Sequence, residues 1–395
     1  MREHGLDKDS VLQNIEDHLA KDAAWNKVLN SICTEPLAIG KEAFIRSIDT
    51  NLGDVRIFRG SSELEHKAVR LLASLLGGGD SPGNIVSGGT EANVLALLAA
   101  KKRRPDIASP EIIIPETAHF SLFKAIHLMG LQYRIAKVDS RFKADPASIE
   151  ALINDNTVAI LATAGTSELG SVDPIEAIAQ VALRHRVYLH VDAATGGFII
   201  PFARKLGMDL PAFDFTLEGV CSITVDPHKY GLAPIPAGGI LFRDRHIQQL
   251  VSVDSYFMGI PGHMTMLGTR NGAGAAAAYA VMEHLGLSGY MEITERNFEL
   301  TRYLVRQLKD RGLRLPLEPE LNIVLFEMDG AAQFLRYCEE RGWIVSVSKR
   351  FPDAVRIVIQ RHVTHGMINQ FLSLLDRFVE DRKSAGAAAK GVPSS

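Results

Sequence analysis

The stretch Ser222-Ile-Thr-Val-Asp-Pro-His-Lys-Tyr-Gly231 predicts a short buried strand that runs into a reactive lysine. Three consecutive β-branched residues at 223–225 favour a strand, and Gly231 ends the pattern in a turn. Lys229 follows the strand end beside His228, where it can be held partly out of water. Such shielding lowers the pKa of a lysine amine and allows it to form an imine with a carbonyl compound. The alternative is an ordinary surface lysine after a strand.

Two upstream stretches supply the other groups that a phosphate-bearing carbonyl cofactor needs. His190-Val-Asp-Ala-Ala-Thr-Gly-Gly197 predicts an apolar strand that ends at Asp192, about 35 residues before Lys229, which is one βα unit. Ile85-Val-Ser-Gly-Gly-Thr-Glu-Ala-Asn93 predicts a strand, a glycine pair and a helix start, whose N–H groups bind phosphate. Taken singly, these stretches indicate only a helix cap and a strand-to-helix turn. Together with the lysine, they match the needs of pyridoxal phosphate.

Composition excludes several other classes of protein. The 395 residues suggest two or three domains, and a net charge of −3 offers no basic field for nucleic acid. The charged N-terminus has no apolar signal region, and no run approaches the roughly 20 apolar residues of a membrane span. Cys33, Cys221 and Cys338 fit neither a disulfide framework nor a zinc site, and His362 and His365 have no acidic partners. We therefore expect a cytoplasmic protein without a metal site.

The order of patterns predicts an α/β fold with a mostly parallel sheet and flanking helices, followed by a small α+β domain. The predicted strands are 84–87, 111–114, 133–138, 157–162, 187–191, 222–225 and 238–242, then 322–327, 343–348 and 354–359. The predicted helices are 9–31, 63–76, 90–103, 119–129, 146–153, 174–185, 290–311, 331–341 and 364–380. The predicted units are an N-terminal helical segment (1–50), a large domain (51–287), a small domain (288–382) and a disordered tail (383–395). The apolar stripe of the first helix is expected to pack on a partner subunit or on the small domain.

Five ordered motifs resemble those of the group II pyridoxal-phosphate-dependent amino-acid decarboxylases, above all the archaeal L-tyrosine/L-aspartate decarboxylases. The motifs are Ser87-Gly-Gly-Thr-Glu-Ala-Asn93, Thr163-Ala-Gly-Thr166, His190-Val-Asp-Ala-Ala194, Asp226-Pro-His-Lys229 and Gly268-Thr-Arg270. The likeness runs from about Asn51 to about Leu375. It implies pyridoxal-phosphate fold type I, the fold of aspartate aminotransferase.

The resemblance assigns a role to each motif. Lys229 would form the imine with the cofactor, and Asp192 would keep the pyridine nitrogen protonated. His119 and Ala194 would lie against opposite faces of the ring. The remaining cofactor contacts would come from Ser87, Gly88, Gly89, Thr90, Thr166 and His228. Thr269, in the Gly268-Thr-Arg270 loop, would reach the phosphate of a second subunit, which implies a homodimer; ordinary packing is the alternative for this loop.

Three assignments are less direct. Tyr256 lies in an unpatterned segment, 247–266, where the animal decarboxylases carry a loop tyrosine that protonates Cα. Arg356, inside a predicted strand, would bind a substrate carboxylate, with an ion pair on the sheet face as the equal alternative. Asp226 stands where the animal enzymes have an asparagine, and an acid there would repel a phosphate.

The resemblance also decides the reaction. It implies decarboxylation of L-tyrosine to tyramine, of L-aspartate to β-alanine, or of both; in the archaeal enzymes these products feed methanofuran and coenzyme A biosynthesis. An aminotransferase or a carbon–carbon lyase of the same fold is the first alternative. A relative without catalytic activity is the second, although the presence of Lys229, Asp192 and His119 argues against it.

Overall fold

The central element is a mixed sheet whose strands agree with the predicted ones. The computed structural model describes residue 1, residues 3–254 and residues 262–390. Within these residues the strands of the large sheet are β1 (Gly83–Val86), β2 (Glu111–Pro115), β3 (Gln132–Ala136), β4 (Thr157–Thr163), β5 (Tyr188–Asp192), β6 (Val220–Val225) and β7 (Gly238–Phe242). Their order is β1-β7-β6-β5-β4-β2-β3, and β7 alone runs antiparallel to its neighbours. The five neighbouring strands β6, β5, β4, β2 and β3 run parallel to one another.

Helices cover both faces of this sheet because successive side chains of each strand point to opposite sides. The helices of this part are α1 (Lys8–Leu19), α2 (Ala38–Arg46), α3 (Arg59–Leu75), α4 (Gly89–Arg103), α5 (Phe120–Met129), α6 (Pro146–Leu152), α7 (Ile175–His185), α8 (Ile200–Lys205) and α9 (Arg245–Gln249). Ile112 and Ile114 join the apolar cluster under α4 and α5, whereas Ile113 joins the cluster under α3, α7 and α8. All residues of β4 and β5 are buried, as expected for parallel strands covered on both faces.

A smaller antiparallel sheet follows a long helix. Helix α10 (Ala273–Asp310) is interrupted at Gly286, whose φ of 55° breaks the helical backbone. The sheet has the order β8-β10-β9, from β8 (Ile323–Glu327), β9 (Ser346–Val347) and β10 (Ala354–Val358). Two helices, α11 (Ala331–Glu339) and α12 (His365–Lys390), pack against it around Phe334 and Phe371. The predicted domain boundary at 287/288 lies beside the interruption, and the three boundaries between the four predicted units remain predictions.

The N-terminal segment differs from the single helix predicted for 9–31. Helix α1 ends at Leu19, and a short 3₁₀ helix (Trp25–Lys27) follows. The chain then pairs with the small sheet, where Leu29 N donates to Ile344 O (2.8 Å) and Val358 N donates to Leu29 O (2.7 Å). Apolar spacing alone could not reveal this pairing, because the partners are more than 300 residues away in the sequence. Leu29 is buried in the core of the small sheet, whereas α1 buries none of its residues in this chain.

The last helix extends further than predicted. Helix α12 continues to Lys390, through most of the segment expected to be disordered from residue 383. The sequence there is rich in alanine, the residue with the highest helix propensity, so the composition that suggested low complexity also favours helix. In the described part of the chain, no helix is long and apolar enough to cross a membrane.

Candidate active site

A cavity of about 360 Å³ lies at the carboxyl ends of β4, β5 and β6, within the size range of small-molecule sites. Its lining includes ten of the predicted site residues: Ser87, Gly88, Gly89, Thr90, His119, Thr166, Asp192, Ala194, His228 and Lys229. Thr269 and Arg356 do not line it, and Tyr256 lies outside the described residues. A larger, mainly apolar cavity of about 610 Å³ between α3, α8 and α10 contains none of the predicted site residues.

Lys229 and Asp226 form a buried ion pair just after β6. Lys229 Nζ lies 3.0 Å from Asp226 Oδ2, and Asp226 is 1% exposed. Burial by itself lowers the pKa of the Lys229 ammonium, but the carboxylates of Asp226 and Asp192 outweigh it and raise that pKa above its ordinary value. The lowered pKa expected from the sequence is therefore wrong for this structure, because that expectation left out the two acids.

Asp192 ends β5 with both carboxylate oxygens held by neutral donors. Its Oδ1 accepts a hydrogen bond from Ala194 N (3.1 Å), and its Oδ2 accepts one from Asn93 Nδ2 (2.9 Å). The short helical turn that follows at Gly196 takes no side-chain cap, which removes the helix-cap alternative for Asp192. Each oxygen keeps a lone pair for a donor inside the cavity.

The first turn of α4 opens into the cavity without a side-chain cap among the described residues. Ser87 donates both its N–H (2.8 Å) and its hydroxyl (2.7 Å) to Glu91 Oε2, so its own donors are engaged. The first N–H groups of the helix have no carbonyl partner one turn back and are left for an anion. Space is limited at Gly89, where an added Cβ would lie 2.9 Å from Asp226 Oδ2 and 3.3 Å from Ala194 Cβ.

His119 caps helix α5 and also forms part of the cavity wall. Its Nδ1 accepts hydrogen bonds from Ser121 N (3.3 Å) and from the Ser121 hydroxyl (2.8 Å). Burial lowers the pKa of the imidazole, with Asp192 opposing and Lys229 adding to the effect. His119 is therefore a neutral ring with a fixed orientation. His119 thus caps the helix, as a lone histidine at a helix start usually does, and it also lines the cavity, as its predicted position beside the cofactor requires.

Thr166 belongs to a turn that Arg356 holds from behind. The hydroxyl of Thr166 accepts a hydrogen bond from Ser171 N (3.1 Å). Arg356 Nε donates to Glu168 O (2.9 Å), Nη1 donates to Asn30 Oδ1 (2.6 Å) and Nη2 donates to Ser167 O. Burial lowers the pKa of this guanidinium. Within the described residues Arg356 has no ion-pair partner, so the sheet-face ion pair considered from the sequence is absent there.

In the Gly268-Thr-Arg270 loop, Arg270 is bonded inside the chain and Thr269 is exposed to solvent. Arg270 Nη1 donates to Glu65 Oε1 (2.7 Å) and to Ile85 O (2.5 Å), inside the same chain. Thr269 is exposed. Arg270 therefore has the packing role that the sequence left open, while Thr269 is placed where another molecule can reach it.

Sequence reasoning missed two polar residues on α4. Glu91 accepts from Ser87 and from Met266 N (3.1 Å), which ties the helix start to the loop before Thr269. Asn93 donates to Asp192. Both residues stand inside a motif quoted for its glycines; the spacing of Glu91 four residues after Ser87 was an available signal, and Asn93 had none.

The comparisons with known proteins agree with this geometry. The family model described as the pyridoxal-dependent decarboxylase conserved domain matches residues 2–329. The chain belongs to the pyridoxal-dependent decarboxylase family. It is 43% identical over 352 residues to a probable L-tyrosine/L-aspartate decarboxylase of Methanothermobacter thermautotrophicus, covering 89% of this chain and 96% of the relative. It is 42% identical over 373 residues to an L-aspartate/L-glutamate decarboxylase of Pyrococcus horikoshii, covering 93% of this chain and 96% of that one.

The fold is shared with solved members of the same superfamily. A sphingosine-1-phosphate lyase of Burkholderia pseudomallei superposes with a TM-score of 0.88 at 26% identity, covering 98% of this chain and 94% of that one. The predicted family and the predicted fold type I are thus confirmed. The protein is an amino-acid decarboxylase of the pyridoxal-phosphate-dependent class.

The residues present fit pyridoxal phosphate. The uncapped start of α4 suits the phosphate, the Lys229 amine suits the aldehyde, and Asp192 suits the ring nitrogen. Two buried polar atoms of the cavity wall, Asp226 Oδ1 and Thr117 Oγ1, have no hydrogen-bond partner among the described residues. Unpaired buried polar atoms are costly, so their presence in the wall indicates a site built for a polar ligand.

Proposed function

We propose that this decarboxylase converts L-aspartate to β-alanine and carbon dioxide. The observation that carries the proposal is the polarity of the cavity wall. Among its described residues, the only side chains without a polar atom are Ala194 and Ile235, apart from glycines. An aromatic substrate side chain would leave the hydroxyl of the wall residue Thr117, which has no partner among the described residues, unpaired, whereas a second carboxylate accepts a hydrogen bond from it.

Two further features support an acidic substrate. Arg356 lies behind the wall residue Ser167 as a buried cation without an acidic partner among the described residues, so it leaves positive potential on that side. Aspartate is also the substrate that appears in the names of both relatives. L-tyrosine is the second candidate, because the first of these relatives is named for it as well. The direct substrate contact predicted for Arg356 stays a prediction.

Bound pyridoxal phosphate supplies an aldehyde for an amine and a conjugated ring that accepts the electron pair of a broken Cα bond. We assign capture of the cofactor to Lys229, with Asp226 as the acceptor next to its ammonium. The amine must lose a proton before it attacks a carbonyl carbon, and Asp226 Oδ2 lies 3.0 Å away. Once released, the same amine is placed to carry a proton to the position that the carboxylate leaves. Tyr256 remains the predicted alternative donor.

We assign the ring contacts to Asp192, His119 and Ala194. Asp192 would present an acceptor to the ring nitrogen, and His119 and Ala194 would contact the two faces of the ring. The phosphate is assigned to the backbone of Gly88, Gly89 and Thr90 at the start of α4. Ser87, Thr166 and His228 complete the cavity wall as predicted contacts.

We further propose a cytoplasmic homodimer. The apolar side chains Val11, Leu12, Ile15 and Leu19 on one side of α1 are 41–61% exposed, and Thr269 is exposed on a loop tied to the site through Glu91. Both features suit contact with a second copy. The three cysteines are free thiols, which suits a reducing compartment. Light scattering of the purified protein should give about twice 43.2 kDa; the mass of one chain would refute the dimer.

The test of the substrate is product analysis of the protein loaded with pyridoxal phosphate. L-aspartate, L-tyrosine and L-glutamate are offered separately, and carbon dioxide and amines are measured. We expect carbon dioxide and β-alanine in equal amounts from L-aspartate, and neither product in Lys229→Ala. Tyramine alone would move the assignment to L-tyrosine, and pyridoxamine phosphate with a keto acid would favour the aminotransferase alternative.

A further inference from the structure

Seven side chains from α4, α5, β5 and β6 form one hydrogen-bonded chain beside the cavity, here called the Asn93 network. Its members are His119, Ser121, Asn93, Asp192, His190, Thr224 and Ser222. Asn93 lies at its centre and is 1% exposed. Only His119 and Asp192 have an assigned role toward the cofactor, and both are connected to the network through Asn93.

The Asn93 amide makes all four of its hydrogen bonds. Nδ2 donates to Asp192 Oδ2 (2.9 Å) and to Ser121 Oγ (2.9 Å). Oδ1 accepts from His190 Nε2 (2.9 Å) and from the Thr224 hydroxyl (2.8 Å). A side-chain amide has two N–H donors and two acceptor lone pairs, so none of its capacity is left over.

Only one orientation of this amide satisfies its neighbours. An ionised Asp192 can only accept, so Nδ2 must face it. With Nδ2 toward Asp192, Asn93 Oδ1 faces His190 and can only accept, so the ring hydrogen is on Nε2 and His190 Nδ1 accepts from the Ser222 hydroxyl (2.8 Å). Burial lowers the pKa of His190 to about 4, so this ring is neutral and keeps that tautomer. The network therefore holds one N–H against one particular oxygen of Asp192.

We propose that Asn93 is a positioning residue for the decarboxylation, whose amide fixes the Asp192 carboxylate toward the ring nitrogen of pyridoxal phosphate. The inference rests on the proposed role of Asp192. Through Ser121 the same amide also orients His119, so one side chain sets the groups assigned to the edge and the face of the ring. Asn93 begins the second turn of the helix whose start is assigned to the phosphate, which fixes these contacts relative to one another.

The test compares two cofactors that differ only at the ring nitrogen. The full-length protein without cofactor is titrated with pyridoxal phosphate and with its analogue in which CH replaces that nitrogen, and the ratio of the two dissociation constants is measured. In the wild type we expect the analogue to bind roughly 10- to 100-fold more weakly, which is the value of one charge-assisted hydrogen bond. Asp192→Ala should bring this ratio close to one.

Asn93→Leu, which keeps the branched shape but removes the donor, is expected to bring the ratio to within about threefold of one. Ser222→Ala disturbs the far end of the same network without touching Asn93 or Asp192, and it should keep the wild-type ratio. Asn93→Asp is the isosteric variant should the leucine protein not fold. The carboxyl group introduced at residue 93 shares a proton with Asp192 and can donate to it only while that proton is bound. The ratio of the two dissociation constants in Asn93→Asp should therefore fall relative to the wild-type ratio as the pH rises.

The outcomes separate the inference from the proposed function. Equal weakening of both cofactors in the Asn93 variants, with a wild-type ratio, would mean that Asn93 only supports the fold, and it would overturn the inference while Asp192 keeps its role. A wild-type ratio near one that Asp192→Ala leaves unchanged would overturn the role of Asp192 and the inference with it.

Discussion

Replacement of Asp226 by asparagine tests whether this carboxylate keeps Lys229 protonated before the cofactor binds. Asparagine keeps the shape and still accepts a hydrogen bond, but it removes the negative charge 3.0 Å from Nζ. Two unit charges at that distance attract by about 5.5 kcal/mol at an effective dielectric constant of about 20. Desolvation of the buried pair offsets part of this attraction. If about 1.4 to 3 kcal/mol survives, the neutral amine becomes roughly 10- to 100-fold more abundant in Asp226→Asn at neutral pH.

The expected result is faster association of pyridoxal phosphate with the cofactor-free variant. Association is followed through the visible absorbance of the bound cofactor over a series of pH values. The wild-type rate should rise with pH into the alkaline range, because the pKa of Lys229 is raised, and the profile of Asp226→Asn should lie at lower pH. The exposed Asp209→Asn serves as the control and should follow the wild type. A variant rate within about twofold of wild type at every pH would refute the reasoning.

The same ion pair has a consequence for stability. The pKa of Lys229 in the folded protein lies above the ordinary value of 10.5, so the folded state binds this proton more tightly than the unfolded state does. The stabilisation is therefore present in full at neutral pH and is lost as the pH rises through the raised value. Urea unfolding of the cofactor-free protein should show this alkaline loss in the wild type and a smaller loss in Asp226→Asn.

Three further predictions concern the first residue of α4, a buried ion pair and a buried acid. Gly89→Ala should weaken pyridoxal phosphate binding by about tenfold or more in a cofactor titration, because its Cβ would lie 2.9 Å from a carboxylate oxygen, whereas Gly60→Ala has nothing within 4 Å and should bind normally. Arg270→Met should lower the free energy of unfolding in urea by about 3–5 kcal/mol, since it leaves Glu65 buried without its partner. Burial raises the pKa of Asp173 to about 6, above the ordinary 3.8, so this acid stabilises the fold at low pH and loses that contribution as the pH rises through about 6. The free energy of unfolding in urea of Asp173→Asn, measured relative to that of the wild type, should therefore rise by about 3 kcal/mol as the pH is raised from about 4 to about 7.

Each of these predictions has an outcome that contradicts it. Equal binding of pyridoxal phosphate by the two glycine variants would show that the start of α4 accommodates a side chain at residue 89. If Arg270→Met lowers the free energy of unfolding by less than about 1 kcal/mol, the Arg270–Glu65 pair stabilises the fold no more than an exposed ion pair does. Parallel pH curves for wild type and Asp173→Asn would mean that this acid is ionised as easily in the folded protein as in the unfolded one.

The backbone of the large sheet was predictable from the sequence because its signals are local. The central strands β2, β4 and β5 are short, mainly apolar runs, the exposed strand β3 is more polar, and each of the seven strands overlaps its predicted range. The carboxyl ends of parallel strands then bring Asp192 and Lys229 to one edge of the sheet without further information. For the same reason ten of the predicted residues line one cavity.

Side-chain partners were not predictable in the same way. Asn93 meets Asp192 and Thr224 across separations of 99 and 131 residues, and no period in the sequence records such a contact. Even the pairing of Lys229 with Asp226, three residues apart, depends on the directions that both side chains take after the strand ends. The extended segment around Leu29 is a third case, since its partners are at the other end of the chain.

The two aspartates of the site show why such partners matter for chemistry. Asp226 has a cation beside it, whereas Asp192 is held by an amide and a backbone N–H and has no full positive charge in hydrogen-bond contact among the described residues. The two acids and Lys229 together carry one negative charge, and the neighbouring His119 and His190 have lowered pKa values and add none at neutral pH. A buried carboxylate without a counter-charge is costly, and a protonated ring nitrogen of the bound cofactor would supply the missing charge. The same residue type, at the ends of adjacent strands, is thus suited to hold a lysine in one case and a cofactor in the other.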